Sequence, residues 1–429
     1  MVMHPFKIVA KGKGFGGLFA RFGSVRGRYG FSPGKMDQTL EHFTEVLNQY
    51  GAGGTFPITA VNLSRNSLDF KKYQSKKIEF AIHGFFHTDY SELPIETQIA
   101  HIEKSIELFQ ELGVICSGFR SPYLRWNQDT LSAVSDGNLI YDSSQGLAWD
   151  LCGGTDSPAY QHVLKFYRAE SASDYPSLPR IDNGLVRFPY CLPDDEALVE
   201  RFQINTAEQK SNIWLSILLE THQRGELFTL GLHPERIYLC EMFLKETLER
   251  ALVLSPKVWI ARLDEIAQWW NSLNETRVCL ESVDNNEFNF TSDGPDALVF
   301  LTQGVELLTD HQDWDGKYNL VERSSIKVRS KVKPIIGVSL SSAPQLAEFL
   351  HQQGYIFELV GDSRSHSIFL HYPIFAREDE RALLSHLDES KLPLVRVGRW
   401  PNGARSALCV TGDIDALTYW DYLHRILGN

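Results

Sequence analysis

Apolar positions along the first two thirds of the chain alternate between two rhythms. From Lys35 to Tyr50, the residues Met36, Leu40, Phe43, Val46 and Leu47 recur at helical spacing, and Gly51 to Gly54 end the run. Short apolar runs follow: TFPITAV (55–61), KIEFAIH (77–83), VICSGFR (114–120), LIYDSS (139–144), GLVRFPY (184–190), LFTLGLH (227–233) and VWIARL (258–263). Helical patterns separate most of them, at about 95–112, near 128–135, at 211–223, at 240–254 and on through Trp270. Strands alternating with helices predict a parallel sheet or barrel. Three of these runs end in a residue that can do chemistry: His83, Arg120 and His233. The carboxyl ends of strands are where such folds build active sites.

The rhythm changes near residue 275. SVDNNEFNFTSDGPDALVFL alternates and is rich in turn residues, as antiparallel strands are, and SAPQLAEFLHQQGYIFELVG reads as a helix followed by a strand. Residues 276–395 therefore read as a small α+β accessory domain, after a main unit at 1–275. From 396 to 429 a buried strand returns in ARSALCVTGDIDAL, where Asp413 and Asp415 flank one isoleucine. Two acids closing an apolar strand are costly unless something binds there.

Composition narrows the function. The apolar fraction of 43% suits a globular protein, and a net charge of -12 argues against general nucleic-acid binding. No apolar stretch is long enough to span a bilayer, and the N-terminus lacks the apolar core of a signal peptide. The six cysteines (116, 152, 191, 240, 279 and 409) form no CxxC pair, which predicts a reducing, cytoplasmic setting. The first 36 residues carry seven Lys or Arg and no acid. Lys7, Lys11, Lys13, Arg21, Arg26 and Arg28 could thus hold the protein peripherally at an anionic membrane face, or the segment could be a plain connector.

HGFFHTDY places His83 and His87 in an H-x3-H pair at a strand end, where two imidazoles can face one metal. GFRSPY places Arg120 and Pro122 at another strand end, and LGLHPER places His233 at a third. Each is a weak signal alone. Their order and spacing resemble those of the NodB-homology polysaccharide deacetylases (carbohydrate esterase family 4), and YGAGGTFPITA, YDSS and VWIARLDEIAQWW look similar in context. The resemblance spans most of 29–270 and then 400–420. It implies a distorted (β/α) barrel of the polysaccharide deacetylase type.

One motif of that family is displaced. Its strand ending in two acids normally precedes the first helix, and nothing acidic precedes Lys35 here. The acidic pair occurs in TGDIDAL instead, so the chain looks circularly permuted, its first barrel strand supplied by the C-terminus. The rival readings are a truncated second domain and a tail that completes a neighbouring subunit.

The resemblance also implies roles. Asp415, His83 and His87 would hold a divalent metal, zinc first, with iron, cobalt or nickel also suited to the ligand set. Asp413 would be the general base for the attacking water, paired with Arg120. The backbone N–H of Tyr123 would meet the oxyanion, and His233 would protonate the leaving amine with Asp142 or Asp194 behind it. Pro122 and Trp149 would contact substrate. The implied function is metal-dependent hydrolysis of an N-acetyl group on a saccharide. The alternatives are a non-catalytic carbohydrate-binding protein on the same fold and a hydrolase of a non-sugar amide.

Overall fold

A computed structural model describes residues 28–151, 154–284, 286–361 and 365–427. Five of the six basic residues singled out near the N-terminus (Lys7, Lys11, Lys13, Arg21 and Arg26) lie outside these ranges, and so does Cys152.

The helix Gly34–Gln49 forms as its periodicity predicts and buries Met36, Leu40, Phe43, Val46 and Leu47. The strands that follow are β1 (Gly54–Ile58), β2 (Ile78–Ile82), β3 (Gly118–Phe119), β4 (Tyr141–Ala148), β5 (Glu170–Ser171), β6 (Arg180–Asp182), β7 (Leu185–Leu192), β8 (Leu227–Gly231) and β9 (Val258–Ile260). β1 is shorter than the run TFPITAV, because the chain turns at Thr59 into the helix Ala60–Arg65. VICSGFR pairs over only two residues. The helix Pro158–Tyr167, unpredicted, inserts before β5.

The C-terminal strand Ser406–Thr411 is an interior strand of this sheet, between β1 and β8. The spatial order is β6-β7-β4-β3-β2-β1, then Ser406–Thr411, then β8; β5 pairs with β4, and β9 with the C-terminal strand. Ala407 to Thr411 run parallel to Leu227 to Gly231, and Thr411 pairs with Thr55 of β1. Its six residues are all buried, as a strand covered on both faces requires. All of this happens within one chain.

The sheet curls, and a side chain bridges β7 to β8: the Thr229 hydroxyl accepts from Cys191 N (2.9 Å) and donates to Pro189 O (2.6 Å). β1, β2, β4, β7 and β8 are buried along their whole length.

Residues 278–397 build two four-stranded sheets and a three-stranded parallel one. Leu394–Val397 pairs antiparallel with Phe300–Gln303, so the accessory strands run slightly past residue 395. Phe288, Phe290, Val338 and Leu350 share a core with Trp270 and Trp400, and with Tyr141, Val186, Leu227 and Ala407 at the beginnings of barrel strands. The accessory region thus covers the amino ends of the strands and leaves their carboxyl ends for chemistry.

Candidate active site

His83 follows β2 directly, and its N–H donates to Ile58 O of β1 (2.9 Å). Gly84 then takes a left-handed φ of 76°, and a Cβ there would lie 2.7 Å from the Tyr90 ring. That turn folds the loop back, fixed by Phe85 N donating to the Tyr90 hydroxyl (2.8 Å). The His83 and His87 rings come to 5.2 Å, and His87 meets the Tyr123 ring edge-on at 4.5 Å.

The acid pair arrives from the C-terminal strand. Gly412 N donates to Thr55 O (3.2 Å) and Ile414 N to Pro57 O (2.7 Å), so the chain stays extended beyond Thr411. Alternation buries Ile414 and turns both aspartates to the opposite face. Gly412 is needed because a Cβ there would lie 1.7 Å from Leu232 O.

Three lone-pair atoms converge. Asp415 Oδ1 lies 3.4 Å from His83 Nε2 and 3.1 Å from His87 Nε2. His83 Nδ1 is engaged by Arg120 O (2.9 Å), which leaves Nε2 as the lone-pair nitrogen. Both His83 Nε2 and Asp415 Oδ1 are buried without a hydrogen-bond partner. Unshared lone pairs held this close in a buried site are unfavourable unless a cation lies between them, and two histidines with a carboxylate suit a divalent ion bonded at about 2.0–2.2 Å. Asp415 Oδ2 is taken by Arg425 of the C-terminal helix Tyr419–Leu427.

Asp413 sits beside them, with Oδ2 3.6 Å from His83 Nε2. Its Oδ1 accepts from Arg120 Nη1 (2.7 Å), and Arg120 is itself held by the Ser143 hydroxyl (2.9 Å) and packs on the Tyr190 ring (4.6 Å). Burial alone would raise the Asp413 carboxyl, but the charges of His83, Arg120 and His233 outweigh it and hold it below its usual range. Among these, Arg120 is the fixed cation. Asp415 is held well below the carboxylate range; Arg425 and His87 overcome its burial. Burial, then Arg425, push His87 down to about 4, so its imidazole is neutral at ordinary pH.

His233 follows β8 across the site. Its Nδ1 hydrogen-bonds Asp195 Oδ1 at 2.7 Å, and Asp195 Oδ2 lies 3.2 Å from Arg236 Nε. Burial would lower this imidazole, but Asp195 dominates and raises it well above its ordinary value. The expected partners are therefore corrected. Asp142 accepts from the Ser144 hydroxyl (2.5 Å) and Arg187 Nε (3.3 Å), while Asp194 accepts from the Tyr190 hydroxyl (3.0 Å) and Ala197 N (2.7 Å). Asp194 stays within 4.8 Å of both Asp195 and His233, but the hydrogen bond to the His233 ring is made by Asp195.

Tyr123 takes a left-handed φ of 59° directly after the buried Pro122. Trp149 does not present a face for substrate in this conformation: it is 2% exposed in the core, with the Arg224 guanidinium over its ring at 5.5 Å. Sequence reading missed Asp195 and Arg425. PDDE beside β7 could have pointed to the first; nothing local marks the second.

Among the described residues no helix is long and apolar enough to cross a membrane. Comparison with known proteins adds a family. The family model described as polysaccharide deacetylase matches residues 31–140. A peptidoglycan deacetylase-like protein, FGM2, of Gibberella zeae is 29% identical over 103 residues, 23% of this chain and 30% of that protein, so the match covers under a third of its length. Among solved structures, the chain is similar to one described as a probable polysaccharide deacetylase from Pseudomonas aeruginosa PAO1 (19% identity, TM-score 0.43, 54% of this chain and 72% of that one). It is likewise similar to Puue allantoinase (17% identity, TM-score 0.43, 54% and 72%). His83 and His87 both lie inside the matched segment, so residues 31–140 carry a polysaccharide deacetylase domain.

Proposed function

We propose that this protein removes N-acetyl groups from a saccharide by metal-dependent hydrolysis. The observation that carries the reading is the convergence of His83 Nε2, His87 Nε2 and Asp415 Oδ1, with Asp413 and its Arg120 partner alongside. A divalent ion there, zinc first, would acidify water and polarise the amide carbonyl. Asp413, kept ionised by Arg120, takes the proton of the attacking water. The Tyr123 N–H stabilises charge developing on the carbonyl oxygen. His233, kept protonated by Asp195, gives its proton to the amine as the C–N bond breaks, leaving acetate and a free amino sugar. Pro122 shapes the turn that presents Tyr123.

The test is metal content together with acetate release from N-acetylated oligosaccharides, before and after chelation and metal return. Bound metal with no acetate release would favour a non-catalytic carbohydrate-binding protein or a different amide substrate.

The same reading divides the chain into a catalytic unit (1–275 with 396–429) and an accessory unit (276–395), and treats the order as a circular permutation. The position of Ser406–Thr411 between β1 and β8 supports it. A cytoplasmic setting agrees with the free thiols of Cys116, Cys191, Cys240, Cys279 and Cys409. Peripheral attachment through Lys7, Lys11, Lys13, Arg21, Arg26 and Arg28 is tested by flotation with anionic liposomes; equal flotation after changing all six to Gln would reject it.

A further inference from the structure

A second polar cavity, of about 260 Å³, opens between the barrel and the accessory sheets. Five basic side chains line it, Arg224, Lys317, Arg396, Arg399 and Arg405, against two acids, Asp315 and Asp388. That balance is opposite in sign to the net charge of -12 of the whole chain.

Two of these cations are buried: Arg396 is 6% exposed and Arg399 is 7% exposed. Arg396 donates to the main-chain carbonyls of Gln353 (3.0 Å) and Val397 (3.3 Å), and Arg399 to that of Gly225 (2.8 Å). Arg399 Nε has no partner. Among the described residues neither guanidinium forms an ion pair. Asp315 is engaged by Arg405 (3.1 Å) and the buried Glu226 by Arg381. Asp388 is exposed at the rim, where its main-chain carbonyl accepts from Lys317 and its carboxylate attracts both guanidiniums from a distance. Burial and the neighbouring Arg396 push Arg399 down to about 10, whereas Tyr355, Tyr318 and Asp388 outweigh the burial of Arg396 and raise it, so both are cationic at neutral pH. Buried cations without a carboxylate are costly, and an anionic ligand would offset that cost. Half-buried Trp314, anchored by its Nε1 on Gly403 O (2.8 Å) and with the Arg405 guanidinium 5.4 Å from its ring centre, adds a partly covered ring at the same wall.

We propose that this cavity is a second binding site, for a sugar-sized ligand bearing a phosphate or carboxylate, its anion held by Arg396 and Arg399 and its ring against Trp314. The site lies away from the strand ends that carry His83 and His233 and does not depend on the deacetylase reading.

The test is calorimetry and thermal melting of the full-length protein with glucose 6-phosphate, glucuronate, inorganic phosphate and glucose. One of the anionic sugars is expected to bind and raise Tm, more weakly at high salt, while glucose does neither; which of the two binds tells phosphate from carboxylate. Arg399→Gln should lower that affinity roughly tenfold or more without lowering the unliganded Tm, since it removes an unpaired buried charge. If Arg399→Gln does not fold, Lys317→Ala at the rim carries the comparison, with weaker binding expected. No binding of either anionic sugar at millimolar concentration, or unchanged affinity in the variants, would overturn the proposal. Phosphate binding as tightly as glucose 6-phosphate would overturn its sugar component.

Discussion

At the scale of single residues, the two aspartates of TGDID are separated by their partners. Asp413 faces Arg120, whereas Asp415 faces two imidazoles and Arg425. Asp413→Asn is expected to retain metal and lose roughly 10²–10⁴-fold in turnover, the usual contribution of a general base. Asp415→Ala or His83→Ala should lose metal instead, and Arg425→Gln should weaken it by about 10–100-fold, as removing an outer partner of a ligand does. Elemental analysis beside acetate-release rates separates these outcomes; metal loss in Asp413→Asn with retention in Asp415→Asn would reverse the two roles. His233 gives a second prediction. Its protonated form is stabilised by Asp195, so activity should persist through neutral pH and fall as pH rises through the raised pKa. Asp195→Asn removes that support and leaves burial to act, so the alkaline limb should move to lower pH. The sign for stability is the same: the pair's contribution is full below the unfolded histidine value of about 6.5 and is lost as pH rises through the folded value. A pH profile unchanged by Asp195→Asn would remove His233 from the acid role.

At the scale of elements, the site depends on a strand that is paired along both edges. Ser406–Thr411 pairs with β8 along its length and with β1 at Thr411, and the chain beyond it stays docked through Ile414. Its tightest point is Gly412, against Leu232 O. Gly412→Ala must move backbone on one side, and is expected to destabilise by at least ~1–3 kcal/mol and to lower metal affinity, because the shift is passed to Asp413 and Asp415. Urea melts with metal titration check both effects. A variant of unchanged stability and affinity would show that this approach is not tight in solution.

At the scale of the molecule, the accessory sheets close the amino ends of the barrel strands and the chemistry occupies the other end. The chain therefore leaves the barrel after the helix Leu263–Glu275, builds the accessory core, and re-enters at Ser406 to supply the acid pair. If this is a permutation, the order of segments should be interchangeable. A chain with new termini at the exposed Asn402, in which residues 402–429 precede residue 1, should fold and bind metal like the original, since the cut breaks one turn hydrogen bond (Ala404 N to Pro401 O, 3.1 Å) at an exposed residue, where termini are tolerated. Circular dichroism and metal content test it. Failure of that chain to fold, with the parent stable under the same conditions, would mean that the accessory unit must lead the strand into place.

The sequence alone determined what neighbouring residues encode. Helical spacing specified Gly34–Gln49 and Ile95–Glu111, apolar runs specified β2 and β8, and period-two alternation put Asp413 and Asp415 on one face. The resemblance to deacetylases brought His83, His87, Arg120 and His233 into one candidate site before any geometry was known. Tertiary structure decided the rest, because the deciding contacts join residues far apart in the chain. It placed the C-terminal strand between β1 and β8 of its own chain. It selected Asp195 over the adjacent and equally buried Asp194, since only packing fixes which of two neighbouring carboxylates hydrogen-bonds the ring. It buried Trp149 and brought in Arg425, whose partner ten residues earlier lies across a turn that no periodicity reveals. Periodicity reports which face of an element is buried; which element it is buried against is settled only when the whole sheet has closed.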